Sequence, residues 1–284
     1  MSNSIPPSNS VDPAVDPRAS IGDLALISAN AQLGANCHIG AGALIAPNAA
    51  ISHDTTIGNQ SEIGPGATLG AYVEVGPSCV IGADTKIREF VVLGHYVIFG
   101  AGSAIEKGAR IGHGTKVETS VSIGSGVRIG CNVFIGSGAK IGDGVEIQHG
   151  AYIGRGCTLG IGSRVEGRAM LGDKVRTDCA AWVGEYATIG AESHLCTGTS
   201  IMARADVGPQ TVLGEQTVVG NRAKLGAGVA TFFGVEVGDG AQIEAGVSVE
   251  HRVSIGKGAI ITAQSRVPAR TVVAEGATFD APEP

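Results

Sequence analysis

IGSGVRIGCNVFIGSGAKIGDGVEIQHGAYIG, residues Ile123 to Gly154, repeats itself every six residues. An aliphatic residue returns at Ile123, Ile129, Ile135, Ile141, Ile147 and Ile153. Two places before each later beat stands a small or β-branched residue: Val127, Val133, Ala139, Val145 and Ala151. The residue between the two is free to be anything, here Arg128, Phe134, Lys140, Glu146 and Tyr152. Outward from this stretch, the same step runs from Ile21 to Phe279 without an insertion or deletion. Of its 44 positions, 42 are aliphatic or Phe, and the exceptions are Thr177 and Thr231. A fixed short period of this kind specifies a solenoid, in which each repeat packs on its neighbours, and not a globule around one central core.

In a strand, side chains alternate faces, so the beat and the small residue two before it share the inner face and the residue between them points out. Three hexads close one triangular turn, which predicts an all-β parallel β-helix of about 14 coils. The expected layout is a flexible N-terminal arm over 1–18, the coil over 19–279 and a short tail over 280–284. Nothing helical is expected after Val267-Pro268, where the sequence runs on to APEP. Glycine supplies 45 of the 284 residues and falls mainly just after the beat, where a tight corner needs positive φ or close backbone approach.

Composition narrows the functional classes. With 26 Asp and Glu against 20 Lys and Arg, the chain is mildly acidic, which argues against nucleic acid as a partner. No stretch approaches the length of a membrane span, and MSNSIPPSNS lacks the basic start and apolar run of a secretory signal. Cys37, Cys79 and Cys157 fall in the small inward phase and read as buried hydrophobes, whereas Cys131, Cys179 and Cys196 fall in corners. Without paired spacing they suggest a reducing, cytoplasmic setting. No Gly-rich phosphate loop precedes a helix, so nucleotide hydrolysis has no support.

Outward positions sort into columns. On the face of Ile27, Ile45 and Ile63, the outward residues are Leu26, Leu44, Glu62, Val80, Ile98, Lys116, Phe134, Tyr152 and Met170, seven of the nine apolar or aromatic, followed by Thr188, Asp206, Lys224 and Gln242. The corner after this face is flat, with Ala29, Pro47, Pro65, Ala83 and Ala101. An apolar stripe of that length predicts a partner surface, with Val80, Ile98, Phe134, Tyr152 and Met170 at its centre. In the corner leading into that face, four consecutive coils offer His95, His113, Cys131 and His149, with Tyr96 beside His95. Elsewhere His53-Asp54 stands in ISHDTTIG, Trp182 points outward on what reads as the face of Leu171 and Ile189, and Thr231-Phe232-Phe233 breaks the local composition.

The segments IGAGAL, IGNQSE, IGPGAT, IGSGVR, IGSGAK and IGDGVE resemble the repeat of the hexapeptide-repeat acyltransferase superfamily. The opening AVDPRASIGDLALI and the close IGKGAIITAQSRVPARTVVAEG look like those of UDP-N-acetylglucosamine acyltransferase-like proteins and related sugar acyltransferases. The resemblance implies a left-handed coil, a parallel homotrimer and transfer of an acyl group from acyl-CoA or acyl carrier protein to an amino or hydroxy sugar. No bound cofactor is implied. It points to His149, in VEIQHGAYIG, as general base, with His113 and His53 as the other catalytic candidates. His95, Tyr96 and Trp182 are candidates for substrate binding. Imidazole suits the role because it titrates near neutrality.

The histidine column stays open to two other readings. Imidazole with thiolate would suit Zn²⁺. The γ-carbonic anhydrases of the same superfamily place a second His five residues after the first, and those positions here are Gly100, Glu118 and Gly154, so no metal ligands are assigned. The column could also be solvated corner side chains. A further reading of the whole chain is a non-catalytic rod, since the repeat never opens to release a loop and function concentrates in loops.

Overall fold

The computed structural model describes residues 14–281. Forty-five strands of two residues each form three parallel sheets of 15 strands, and each strand pairs with the one three places on. The chain is thus a left-handed parallel β-helix of 15 coils. Register is constant: Thr68 faces Lys86, Glu74 faces Val92 and Val80 faces Ile98. We call the face of Thr68 and Lys86 face A, that of Glu74 and Val92 face B, and that of Val80 and Ile98 face C. The first strand, Ala14–Val15, already pairs with Gln32–Leu33, so the coil reaches into the stretch expected as an arm. Residues 1–13 and 282–284, where the rest of the expected arm and tail fall, lie outside the described residues.

The beat residues and the small residues two before them fill the inside, with Ile45, Ile105 and Ile135 fully buried beside Ala43, Ser103 and Val133. At the N-terminal end Ile21, whose strand pairs on one side only among the described residues, is 44% exposed. Hydroxyls in the small phase are satisfied by corner carbonyls: Thr55 Oγ1 donates to Gly70 O at 2.9 Å and Thr115 Oγ1 to Gly130 O at 2.9 Å. The buried thiols do the same. Cys37, Cys79 and Cys157 donate to Ser52 O, Gly94 O and Gly172 O, and burial pushes the Cys157 thiol up to about 11.

The two polar beats share one device. Thr177 Oγ1 accepts the Gly160 N–H at 3.1 Å and meets Ser163 Oγ at 3.2 Å; Thr231 Oγ1 accepts the Gly214 N–H at 3.0 Å and meets Thr217 Oγ1 at 2.9 Å. Each threonine therefore stays inside with its hydroxyl partnered. Phe232 and Phe233 project from the corner instead, against His251 and Arg252 respectively.

Two corner positions that the sequence reading merged are distinct. Just after the beat, glycine is a matter of space: a Cβ on Gly58 would lie 2.4 Å from Pro77 N, and one on Gly190 2.3 Å from Pro209 N, in the next coil. Positive φ belongs two residues later, at every described corner from Leu24 to Gly276, and most of these residues are not glycine. Asp54, Tyr72, Phe90 and Arg168 all take it. The left-handed cost of about 1–2 kcal/mol is offset because that conformation aims the N–H at a corner carbonyl of the previous coil. Asp54 N thus reaches Ala35 O at 2.9 Å, and Phe90 N reaches Ala71 O at 3.1 Å.

Candidate functional site

Except where it is proline, the second residue of each described corner has an N–H that the backbone pattern leaves unpaired. At several coils a side chain from the same position 18 residues later accepts it: Asn59 on Ala41 N, Asp143 on Ser125 N, Asp173 on Arg155 N and Asp239 on Asn221 N. His113 and His149 belong to this series. His113 Nδ1 accepts from His95 N at 2.8 Å, and His149 Nδ1 accepts from Cys131 N at 2.9 Å. A neutral imidazole that accepts at Nδ1 carries its proton on Nε2. Both rings therefore present a donor outward, and neither can take up a proton while it holds its corner bond. His95 has no such bond, because the residue 18 before it is Pro77, which has no N–H; its ring lies edge-on to His113 at 4.7 Å. Tyr96, next to it, is 66% exposed.

His149 borders an open depression of about 620 Å³ with Gln148, Glu166, Gly167, Trp182 and Met202. The depression exists because Gln148, Glu166 and Met202 stand where stacking glycines are usual, and Gly167 offers no side chain above His149. Trp182 pairs with Arg164 and Ser200 on face B, not with the face of Leu171 and Ile189: twelve residues separate it from Met170, which is two faces and not three. Its indole donates to Glu166 Oε1 at 3.2 Å, the oxygen that Arg164 Nε also holds at 2.7 Å.

His53 is held the other way round. It sits at the corner between faces A and B, with Nδ1 2.8 Å from Asp54 Oδ2. A carboxylate only accepts, so Nδ1 is the donor and Nε2 keeps its lone pair. Asp54 is fixed from its other side by Asn36 Nδ2, 3.0 Å from Oδ1. The hydrogen bond from His53, then that from Asn36, holds the Asp54 carboxyl below its ordinary value. Edge-on to His53 at 5.4 Å is Tyr72, which stacks on Phe90 at 5.1 Å and 3°. Both rings are exposed, and the next corner in their column is Gly108, around which space is open. His53, the carboxylate and an aromatic ladder thus come together, while the column of His95, His113 and His149 is mainly corner capping.

Face C carries the expected stripe. Val80, Ile98, Tyr152 and Met170 are exposed, and half-buried Phe134 stacks on Tyr152 at 4.9 Å. Face B, by contrast, is a charge ladder in which Arg128, Glu146, Arg164 and Glu166 pair in sequence.

The profile of the bacterial transferase hexapeptide (six repeats) family matches residues 36–71, 120–155 and 234–269, and that of the hexapeptide repeat of succinyl-transferase matches 216–251. The matched segments are hexapeptide repeats. Among solved structures, the chain is similar to UDP-N-acetylglucosamine O-acyltransferase from Moraxella catarrhalis, at 14% identity over 89% of this chain and 70% of that one, with a TM-score of 0.29. UDP-N-acetylglucosamine acyltransferase from Bacteroides fragilis matches at 21% identity over 60% and 68%, TM-score 0.24. Perosamine N-acetyltransferase from Caulobacter crescentus matches at 18% over 57% and 54%, TM-score 0.16. At those scores no statement about activity rests on them. A search of curated proteins gives no match. Among the described residues no helix is long and apolar enough to cross a membrane.

Proposed function

We propose that this protein transfers an acyl group from a thioester, acyl-CoA or acyl carrier protein, to a hydroxyl or amine of a sugar, with His53 as general base. The observation that carries the reading is the 2.8 Å contact between His53 Nδ1 and Asp54 Oδ2. It leaves Nε2 able to accept the acceptor's proton as its oxygen or nitrogen attacks the thioester carbonyl. The tetrahedral intermediate then expels the thiolate, which recovers that proton from the imidazolium, while Asp54 steadies the cation in between. An acceptor ring finds a flat apolar surface on Tyr72 and Phe90. The donor and acceptor classes follow the family resemblance of the repeat.

Face C is the docking surface of a homotrimer in this reading. Its Val80, Ile98, Tyr152 and Met170 side chains, already partly covered in the single chain, each gain on the order of 1 kcal/mol on full burial. Ile98→Glu is expected to turn the trimer into monomers in light scattering; an unchanged mass would remove face C from the interface. Because His53 lies at the opposite corner, the base in this reading works away from the subunit contact.

The test of activity is thiol release from acyl-CoA in the presence of amino and hydroxy sugars. Wild type is expected to turn over and His53→Ala to lose it. A His53→Ala variant as active as wild type ends the assignment. A second reading, a non-catalytic rod, draws on the unbroken coil from Ala14 to Phe279, from which no loop departs. Calorimetry with acyl-CoA that shows no binding to wild type would favour the rod.

A further inference from the structure

Asp178, His194 and Cys196 form a cluster that lies apart from both histidine sites. Asp178 and Cys196 are the first residues of successive corners between faces A and B, 18 residues apart. Both take the place that stacking glycine usually holds, and Gly160 and Gly214 flank them in the column. His194 is the outward residue of the face A strand His194–Leu195 and leans back over the preceding coil, with Nε2 3.0 Å from Asp178 Oδ2. One ligating atom from each of the three lies within 4.8 Å of the others, and all three residues are half-buried. Unlike the thiols of Cys37, Cys79 and Cys157, that of Cys196 makes no hydrogen bond.

We propose that Asp178, His194 and Cys196 bind one divalent transition ion of the Zn²⁺ type. Thiolate, imidazole and carboxylate together suit such an ion and not Mg²⁺ or Ca²⁺, which take oxygen ligands. Bond lengths of about 2.0–2.3 Å to N, O and S require the ligand atoms to draw together to roughly 3–4 Å. The Asp178–His194 pair already meets that, so mainly the Cys196 side chain has to move. Arg176 Nε, 3.4 Å from Asp178 Oδ1, turns the other carboxylate oxygen toward His194 and supports the ligand from outside. On binding, the His194 ring proton shifts to Nδ1, and the thiol proton leaves to solvent. Three protein ligands leave a fourth position for water. The ion would clamp two successive coils at a corner where no loop or helix reinforces them.

The test is titration of the full chain, stripped of metal, with Co²⁺ and then Zn²⁺. One Co²⁺ per chain with a near-ultraviolet thiolate charge-transfer band, displaced by Zn²⁺, is expected. Cys196→Ser abolishes the band, His194→Ala and Asp178→Asn weaken binding at least tenfold, and Cys179→Ser, in the same corner but outside the cluster, changes nothing. These residues are partly exposed, so circular dichroism is expected to show each variant folded. A wild type that binds no Co²⁺, a band that survives Cys196→Ser, or one that disappears in Cys179→Ser overturns the proposal.

Discussion

The corner of His53 and the corner of His149 differ by the partner of a single nitrogen. His149 Nδ1 accepts a backbone N–H from the coil before it, whereas His53 Nδ1 donates to the carboxylate of the next residue. The first arrangement spends the ring on the backbone and turns a donor outward. The second spends a carboxylate on the ring and leaves a base. Both segments place a histidine second in its corner; the His53-Asp54 string is the closer literal match to the family's His-Asp motif, whereas His149 lies nearer the middle of the coil and beside the apolar stripe. Each lies above a corner N–H that the backbone leaves over, that of Ala35 or of Cys131, and what separates them is the residue that follows: Asp54 offers His53 a carboxylate, whereas Gly150 offers His149 no side chain.

The largest expected effect falls on His53. His53→Ala should lower kcat/KM for acyl transfer by about 10²–10⁴, the range for removal of a general base, whereas His149→Ala should stay within a few-fold. Reversed magnitudes in steady-state kinetics would invert the comparison. Asp54→Asn comes next. It keeps the shape but lets the amide stabilise the wrong tautomer, so kcat should fall at least about tenfold with KM little changed, because the loss is in the transition state.

A smaller effect separates capping from chemistry at His149. His149→Ala removes a partner of the Cys131 N–H and should cost about 1 kcal/mol in denaturant unfolding. His149→Asn should recover most of it, since Asn59 makes the same bond to Ala41. If Asn fails to rescue stability, the capping role is wrong. The smallest effect is in acid. Asp54 is held below its ordinary 3.8, chiefly by the hydrogen bond from His53, so its pairing stabilises the fold above that value and the contribution disappears as pH falls through the folded-state value. Melting curves of wild type and Asp54→Asn should therefore stay apart at pH values above the ordinary 3.8 and converge only in stronger acid, below the folded-state value; a gap that persists in strong acid would show that the pair is not what the variant disturbs.

Much of the fold was legible because its cause is local and repeated. A beat every six residues with a small partner two before it can bury both only in a triangular coil, and the structure keeps that register from Ala14 to Phe279. The stripe on face C was legible for the same reason, since outward residues on one face are simply 18 apart. The sites were less so. That Asp54 turns to His53 while Cys131 turns to His149 depends on side-chain direction at left-handed corners and on which N–H groups the neighbouring coil leaves over. The grouping of Asp178 with His194 was missed because the residues stand 16 apart and on different elements, a spacing no hexad column contains. The misplacement of Trp182 was a counting error across faces, which strand pairing with Arg164 corrects.

The hexad by itself determined the coil, its core and its apolar flank, because burial of a periodic apolar residue needs only the period and the alternation of side chains in a strand. Only the stacked coils decided which histidine pairs with a carboxylate, which caps a corner N–H and which acids and thiols meet. Those roles are set by contacts of 3 Å or so between residues of adjacent turns, where the direction of one N–H or one lone pair, invisible in the sequence, selects the chemistry.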